Sequence, residues 1–181
     1  NCYRASDLFD SKEKTMSETM TAPKVVLTVG NSMMGDDGAG PLLADLMEAN
    51  PIDGWMVING GSAPENVSYQ IRALQPQCVV IVDAADIGLK PGEIRVIDPD
   101  YIAEMFIMST HNMPLNFLID QLKDDIPDIT FLGIQPDLVG FYYPMTEAVR
   151  NAVDKVYQGI KSWRVDYFPE LEVCDEDDIE E

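Results

Sequence analysis

The stretch that decides the fold is residues 78–83, CVVIVD, which are apolar until the final aspartate. A continuous apolar run of this length, rich in β-branched side chains, is typical of a strand covered on both faces, as in parallel sheets. A second such run, residues 24–30 (KVVLTVG), ends in glycine. Together the two runs predict the centre of a buried, mostly parallel sheet.

Strands and helices alternate along the rest of the chain. Three further strands are predicted at residues 55–59, 93–97 and 128–134. The strand at 93–97 is predicted to lie at an edge of the sheet because its pattern of apolar and polar residues alternates. Helices are predicted where apolar residues recur at helical spacing or where proline opens a turn, at residues 38–49, 64–74, 100–106, 114–123 and 145–163. This alternation favours an α/β fold with a doubly covered, mostly parallel sheet.

The 181 residues fit one domain with a core large enough to need no disulfide or structural metal. We predict that this domain spans residues 23–165, since no internal repeat or interdomain linker is visible. Residues 1–22 lack periodicity and are predicted to be a disordered extension. Residues 166–181 are predicted to form an acidic C-terminal tail.

Charge and cysteine content restrict the partners and the compartment. The net charge is −20, and removing the seven acids of residues 171–181 still leaves −13. Such a chain repels a phosphate backbone, so nucleic acid is a poor partner, whereas an acidic surface aids solubility or attracts a basic protein. No apolar run approaches the ~18–20 residues that span a bilayer, and residues 1–14 lack the apolar core of a secretory signal. Three widely spaced cysteines without a Cys-x-x-Cys pair (Cys2, Cys78 and Cys174) indicate a reducing cytoplasm.

A glycine-rich turn, residues 30–40 (GNSMMGDDGAG), follows the first strand. The spacing of Gly30 and Gly35 is that of a phosphate loop, but Asp36 stands where the lysine is needed, and carboxylates repel a triphosphate. The turn also lacks the Gly-x-Gly-x-x-Gly pattern of dinucleotide-binding proteins. Asp36 or Asp37 could cap the following helix, which requires only one of them and leaves the other free to face a site.

Two more candidate ligands fall at similar positions. Asp83 ends the central apolar run, and His111, the only histidine, opens the loop into a helix. Ligands in open α/β sheets bind at the carboxyl ends of the strands, so Asp37, Asp83 and His111 can meet at one edge. Imidazole and carboxylates together suit nickel, zinc or cobalt. Alternatively, loop amides satisfy Asp83 and His111 is an ordinary hydrogen-bonded residue. The nearby Asp86 is interpreted as a solvated loop acid.

Several long segments resemble, in order, the nickel–iron hydrogenase maturation endopeptidases. They are residues 30–45 (GNSMMGDDGAGPLLAD), 59–66 (NGGSAPEN), 81–100 (IVDAADIGLKPGEIRVIDPD), 109–125 (STHNMPLNFLIDQLKDD) and 131–146 (FLGIQPDLVGFYYPMT). The likeness is strongest to the branch that processes the large subunit of hydrogenase 3, in the formate hydrogenlyase complex. It implies a three-layer α/β/α sandwich with a five-stranded sheet.

The same resemblance implies the activity and the site. The family removes a short C-terminal peptide from the hydrogenase large-subunit precursor once nickel is in place. Its metal-contacting residues correspond to Asp37, Asp83 and His111, which would also be the catalytic residues. The nickel is supplied by the substrate, and no organic cofactor is expected. We expect a cytoplasmic enzyme, and a monomer is favoured.

Two carboxylates and one imidazole form an incomplete ligand set, which could grip nickel already held by the substrate. Asp37 is then the better candidate for also assisting a water. Two alternatives remain at this point. One is a non-catalytic nickel-binding maturation chaperone with the same fold. The other is a metal-free dyad of Asp37 and Asp83, as in aspartic proteases, although the Asp-Thr/Ser-Gly signature is absent.

Overall fold

The computed structural model describes residues 21–102, 115–163 and 167–172. Five strands form one sheet: β1 (Lys24–Thr28), β2 (Trp55–Asn59), β3 (Cys78–Ala84), β4 (Ile94–Ile97) and β5 (Ile129–Ile134). The helices of the described part are α1 (Ala39–Ala49), α2 (Ser68–Leu74), α3 (Pro99–Ile102), α4 (Leu115–Lys123) and α5 (Glu147–Lys161). Short 3-10 turns, Gly35–Gly38 and Pro64–Val67, lead into α1 and α2.

The strand order across the sheet is β2-β1-β3-β5-β4. β1 pairs in parallel with both β2 and β3, β3 pairs in parallel with β5, and only β4 is antiparallel. The chain leaves β1 toward one side to form β2 and then returns to the other side to form β3. The order therefore reverses at β1 and β3, and the crevice at their carboxyl ends is where such folds bind ligands.

Alternate residues of the central strands enter two separate cores. Val25, Leu27, Val79 and Ile81 pack with buried residues of α2 and α4 on one face of the sheet. On the opposite face, Val26, Val80 and Val82 pack with buried residues of α1 and α5. Helices therefore cover both faces, and the structure is a three-layer α/β/α sandwich, as predicted. The uninterrupted apolar sequence of β3, with all seven residues buried, is the consequence of this double cover.

The predicted elements are confirmed, with ends that differ by up to two residues where they are described, if the 3-10 turn Pro64–Val67 is counted with α2. β4 lies at the sheet edge, in agreement with its alternating sequence, and α5 buries the predicted stripe of Val149, Ala152, Val153, Val156, Tyr157 and Ile160. The helix predicted at residues 100–106 is present as α3, and residues 103–106 lie outside the described residues.

The segment 167–172, predicted to belong to the acidic tail, instead packs on the sheet. The Val96 amide of β4 donates to the Pro169 carbonyl, and the Leu171 amide donates back to the Val96 carbonyl, both at 2.8 Å. Phe168 is buried in the core beside α5. The folded part therefore extends past residue 165 to Leu171. The sequence favoured a tail because acids are frequent there, whereas this contact depends on backbone pairing and one aromatic ring.

None of the helices in the described ranges is long and apolar enough to cross a membrane.

Candidate catalytic and metal-binding site

The glycine-rich turn after β1 is compact because two of its glycines adopt conformations that other residues avoid. Gly30 has φ 144°, and a Cβ atom on it would lie 2.1 Å from the Asp37 carbonyl oxygen. Gly35 has φ 62°, and a Cβ atom there would lie 2.6 Å from the Leu138 carbonyl oxygen. Both positions therefore require glycine. The turn folds back on itself, and it carries two adjacent aspartates into the interior.

Asp37 is fully buried at the carboxyl end of β1. Its Oδ2 atom accepts a hydrogen bond from the Asn31 amide at 2.9 Å, and its own amide donates to the Met34 carbonyl at 3.3 Å. The side chain is thus fixed by the turn that precedes it. It does not cap the 3-10 turn or α1, since neither has a side-chain cap. The capping alternative is therefore wrong for both acids.

Asp36 is also fully buried, but it faces a different part of the chain. Its carboxylate accepts hydrogen bonds from the amides of Asp137 and Leu138 and from the amide and hydroxyl of Thr146, at 2.7–3.0 Å. In return, the Asp36 amide donates to the Leu138 carbonyl at 2.9 Å. Asp36 therefore ties the loop 135–146 to the glycine-rich turn.

Sequence reasoning missed this tie. The available signal was the pair of adjacent acids in one turn, of which only one was needed for the candidate site. The partner loop, however, lies about a hundred residues further along the chain, and its donors are mostly backbone amides.

Asp83 lies near the end of β3, opposite Gly133 of β5, and is fully buried. Neither of its carboxylate oxygens has a hydrogen-bond partner among the described residues. Burial raises the pKa of Asp83 well above its ordinary value, and the negative charge of Asp37 raises it further. The Ala84 amide partly opposes this rise in pKa, from a position that gives no well-formed hydrogen bond.

Asp37 and Asp83 therefore form a buried pair of like charges at the switch point of the sheet. The 3-10 turn that carries Asp37 contacts β3 directly. A buried carboxylate with two unpartnered oxygens is unfavourable as an anion unless a cation neutralises it. The donor set fits a divalent ion, because the ion would supply both the missing contacts and the compensating charge.

The third predicted ligand, His111, lies outside the described residues. Within the described ranges no three His, Cys, Asp or Glu side chains form a metal-binding group, so Asp37 and Asp83 are a partial set. Asp86 is exposed and accepts hydrogen bonds from Gly88 and Gln135, in agreement with its interpretation as a loop acid. Cys78 is buried and free, and burial raises the pKa of its thiol, so it is no candidate nucleophile.

The fold and the carboxylate pair define an α/β/α-sandwich protein with a candidate cation site at its switch point. A family model described as hydrogenase maturation protease, HycI, matches residues 42–163, which include Asp83 and the position of His111. The hydrogenase 3 maturation protease of Escherichia coli (strain K12) is 66% identical over 139 residues, covering 77% of this chain and 89% of its own length.

Solved structures agree with the sequence relatives. The solution structure of endopeptidase HycI from Escherichia coli has a TM-score of 0.79 and 62% identity, covering 85% of this chain and 99% of its own. A crystal structure of a nickel–iron hydrogenase maturation protease HycI from Thermococcus kodakarensis has a TM-score of 0.70 and 27% identity, covering 80% and 93%. The chain belongs to the hydrogenase maturation protease family. It is a peptidase, as the sequence resemblance implied.

Proposed function

We propose that this peptidase removes a C-terminal peptide from the nickel-loaded large-subunit precursor of a nickel–iron hydrogenase of the hydrogenase 3 type. The substrate-bound nickel is the recognition element. The choice of client follows the 66% identical relative, which is named for hydrogenase 3. The observation that carries the role of nickel is the environment of Asp83, whose two buried oxygens have no hydrogen-bond partner among the described residues and whose pKa is raised by burial and by the nearby Asp37 carboxylate.

In this proposal the enzyme supplies only part of a coordination shell. Asp37, Asp83 and His111 bind the open positions of a nickel ion that the precursor already holds. A precursor without nickel brings no cation to the buried Asp83 carboxylate, so it binds less tightly. Selectivity for the loaded precursor therefore comes from the difference in affinity between the two forms.

The residues also have a role in hydrolysis. The glycine-rich turn holds the Asp37 carboxylate in place through the Asn31 amide, so Asp37 can orient a water toward the scissile carbonyl. Asp83 contributes negative charge from a rigid strand. Nickel, when bound, can polarise the scissile carbonyl as a Lewis acid. The reaction needs no organic cofactor. A cytoplasmic location fits the free, buried thiol of Cys78.

The test is cleavage of purified precursor, with and without nickel. The shortened large subunit is detected by its faster migration on a denaturing gel. The wild-type protein should shorten only the nickel-loaded precursor. Asp37→Asn, Asp83→Asn and His111→Ala should each reduce the rate by at least about a hundredfold, a typical cost of removing a catalytic or metal-binding group. Asp86→Asn is the matched control, because this nearby aspartate is exposed, and it should keep the wild-type rate.

The same assay separates the alternatives. A nickel-binding chaperone would bind the loaded precursor without shortening it. A metal-free aspartyl dyad would shorten the nickel-free precursor as well and would work best at low pH. Normal cleavage by Asp83→Asn would contradict the proposed site but not the proposed client.

A further inference from the structure

The loop 135–146 exposes an unusual amount of aromatic surface. Phe141 is 63% exposed, Tyr142 is 83% exposed and Tyr143 is 55% exposed, although they are consecutive in sequence. The rings of Phe141 and Tyr142 lie 6.3 Å apart. Two more exposed apolar side chains, Leu138 in the same loop and Met33 in the glycine-rich turn, belong to the same region. We call these five residues the aromatic surface. A patch of this kind on a soluble protein marks an interaction site.

This surface is attached to the candidate site through the backbone. The Met34 carbonyl accepts hydrogen bonds from both the Asp37 amide and the Gly140 amide, each at 3.3 Å. The Tyr142 amide donates to the Met33 carbonyl at 2.9 Å. The loop is therefore fixed against the turn that positions Asp37. The aromatic surface therefore lies on the loop that packs against the turn carrying Asp37.

The backbone of Tyr142 adopts a conformation that carries an energetic cost. Its φ angle is 63°, in the left-handed region that bulky residues rarely adopt. Such strained residues concentrate at functional sites, where the surrounding structure maintains them. Here the surrounding structure includes the Asp36 carboxylate, which anchors both ends of the loop through Leu138 and Thr146. The energetic cost is unexplained by packing, because the Tyr142 side chain is mostly in solvent.

Charge restricts what can bind there. The sequence has no lysine or arginine between Lys24 and Arg72, or between Lys123 and Arg150. The two segments that build the surface are therefore without basic residues, while Asp137 and Glu147 border it as exposed acids. The complementary partner presents apolar side chains flanked by basic ones.

We infer that the aromatic surface is the docking site for the hydrogenase large-subunit precursor, through an apolar segment of the precursor that carries basic side chains. This inference rests on the proposed function and adds where the client is held. The aromatic surface contributes binding affinity, while the carboxylate pair recognises the metal. Precursor binding and metal recognition thus use two adjacent parts of one edge of the protein.

The test compares the wild-type protein with the double variant Phe141→Ala, Tyr142→Asn, using nickel-loaded precursor as the probe. Asparagine tolerates a positive φ, so the variant loses both rings without added backbone strain. We expect KM, and the Kd of an uncleaved complex, to rise at least about tenfold, as when aromatic anchors of an interface are truncated. The kcat value should stay within about twofold of wild type, because the variant leaves the carboxylates in place.

Tyr69→Ala is the matched control, because Tyr69 is an equally exposed aromatic on α2, at 77%. It should change neither KM nor Kd. Photo-crosslinking with p-benzoylphenylalanine at position 141, and separately at position 69, tests the contact between the aromatic surface and the precursor. It does so without removing an aromatic ring from the loop. Crosslinks to the precursor are expected only from position 141.

Unchanged KM and Kd in the double variant, or a loss confined to kcat, would overturn the inference. So would equal crosslinking from both positions. If the wild-type protein binds the precursor but does not cleave it, the proposed function fails, whereas the docking site is still judged by the change in Kd.

Discussion

Thr146 donates to the Asp36 carboxylate twice, from its backbone amide at 2.7 Å and from its hydroxyl at 2.9 Å. The two residues are 110 positions apart in the chain. Thr146 immediately precedes α5, so the contact also places a buried negative charge at the start of a fifteen-residue helix. A carboxylate is favourable in that position because of the helix dipole. One side chain beside Asp37 therefore positions both the loop 135–146 and the start of α5.

Asp36→Asn should lower the free energy of unfolding by about 2–4 kcal/mol, because the new amide group faces donors that lose a charged acceptor. Thr146→Ser should cost less than about 1 kcal/mol, since it keeps both donors. Denaturant unfolding monitored by circular dichroism measures the two values. If Asp36→Asn is as stable as wild type, the carboxylate does not hold the loop in solution.

The fold could be predicted from the sequence because its signals are local. The apolar run of β3 and the apolar stripe of α5 indicate that these residues are buried. That indication does not depend on which neighbouring element covers them. The antiparallel direction of β4 could not be predicted in this way. The sequence of a four-residue edge strand is equally compatible with parallel and with antiparallel pairing. The contact of residues 168–171 with Val96 was missed for the same reason, because backbone pairing leaves little trace in side-chain pattern.

The sequence predicted that two of the candidate site residues converge, whereas their roles stay predictions. Asp37 and Asp83 do come together, and their position after β1 and at the end of β3 was sufficient to expect it. The placement of His111 stays a prediction, as it lies outside the described residues. The sequence could not predict that Asp36 binds the loop 135–146 while Asp37 lies at the candidate site. This difference depends on a loop that is distant in sequence. The exposure of the aromatic surface was not predicted, because three consecutive aromatic residues do not show from sequence alone whether they are buried.

The raised pKa of Asp83 predicts a characteristic pH dependence of stability for the metal-free protein. Between the unfolded pKa, about 3.9, and the raised pKa of the folded state, the native protein binds more protons at this site than the unfolded chain. The contribution of Asp83 to the free energy of unfolding therefore falls as pH rises through this window. Asp83→Asn lacks this decline, so the variant should gain stability relative to wild type as pH rises. Guanidinium unfolding in chelator at several pH values measures the difference.

A constant difference between Asp83→Asn and wild type across that pH range would show that Asp83 titrates normally. Thermal unfolding with and without a divalent nickel salt is a second measurement. The nickel ion should raise the melting temperature of wild type more at neutral than at acidic pH, because it binds the ionised carboxylate of Asp83. The Asp86→Asn control should respond to nickel as wild type does.

The thiol of Cys78 should be unreactive in the native state. Burial raises its pKa, and the negative charge of Asp128 adds to that effect, so little thiolate is present and reagents have poor access. In a variant with Cys2→Ser and Cys174→Ser, alkylation of Cys78 at pH 8 should be at least about a hundredfold slower in buffer than in denaturant. Mass spectrometry of timed samples gives both rates. Equal rates would mean that the amino-terminal end of β3 opens readily.

Phe168 should be a stability determinant although it lies beyond α5. Its ring packs on Gly159 of α5 and lies 6.4 Å from the ring of Trp163. The segment that it anchors completes the hydrogen bonding of Val96 on the otherwise open edge of β4. Phe168→Ala should cost about 3 kcal/mol or more, as for other buried phenylalanines. Exposing that edge should also promote aggregation, which light scattering during thermal unfolding detects.

Glu172→Ala, an exposed neighbour, should be within about 0.5 kcal/mol of wild type. Equal stability of both variants would place residues 167–172 outside the cooperative fold.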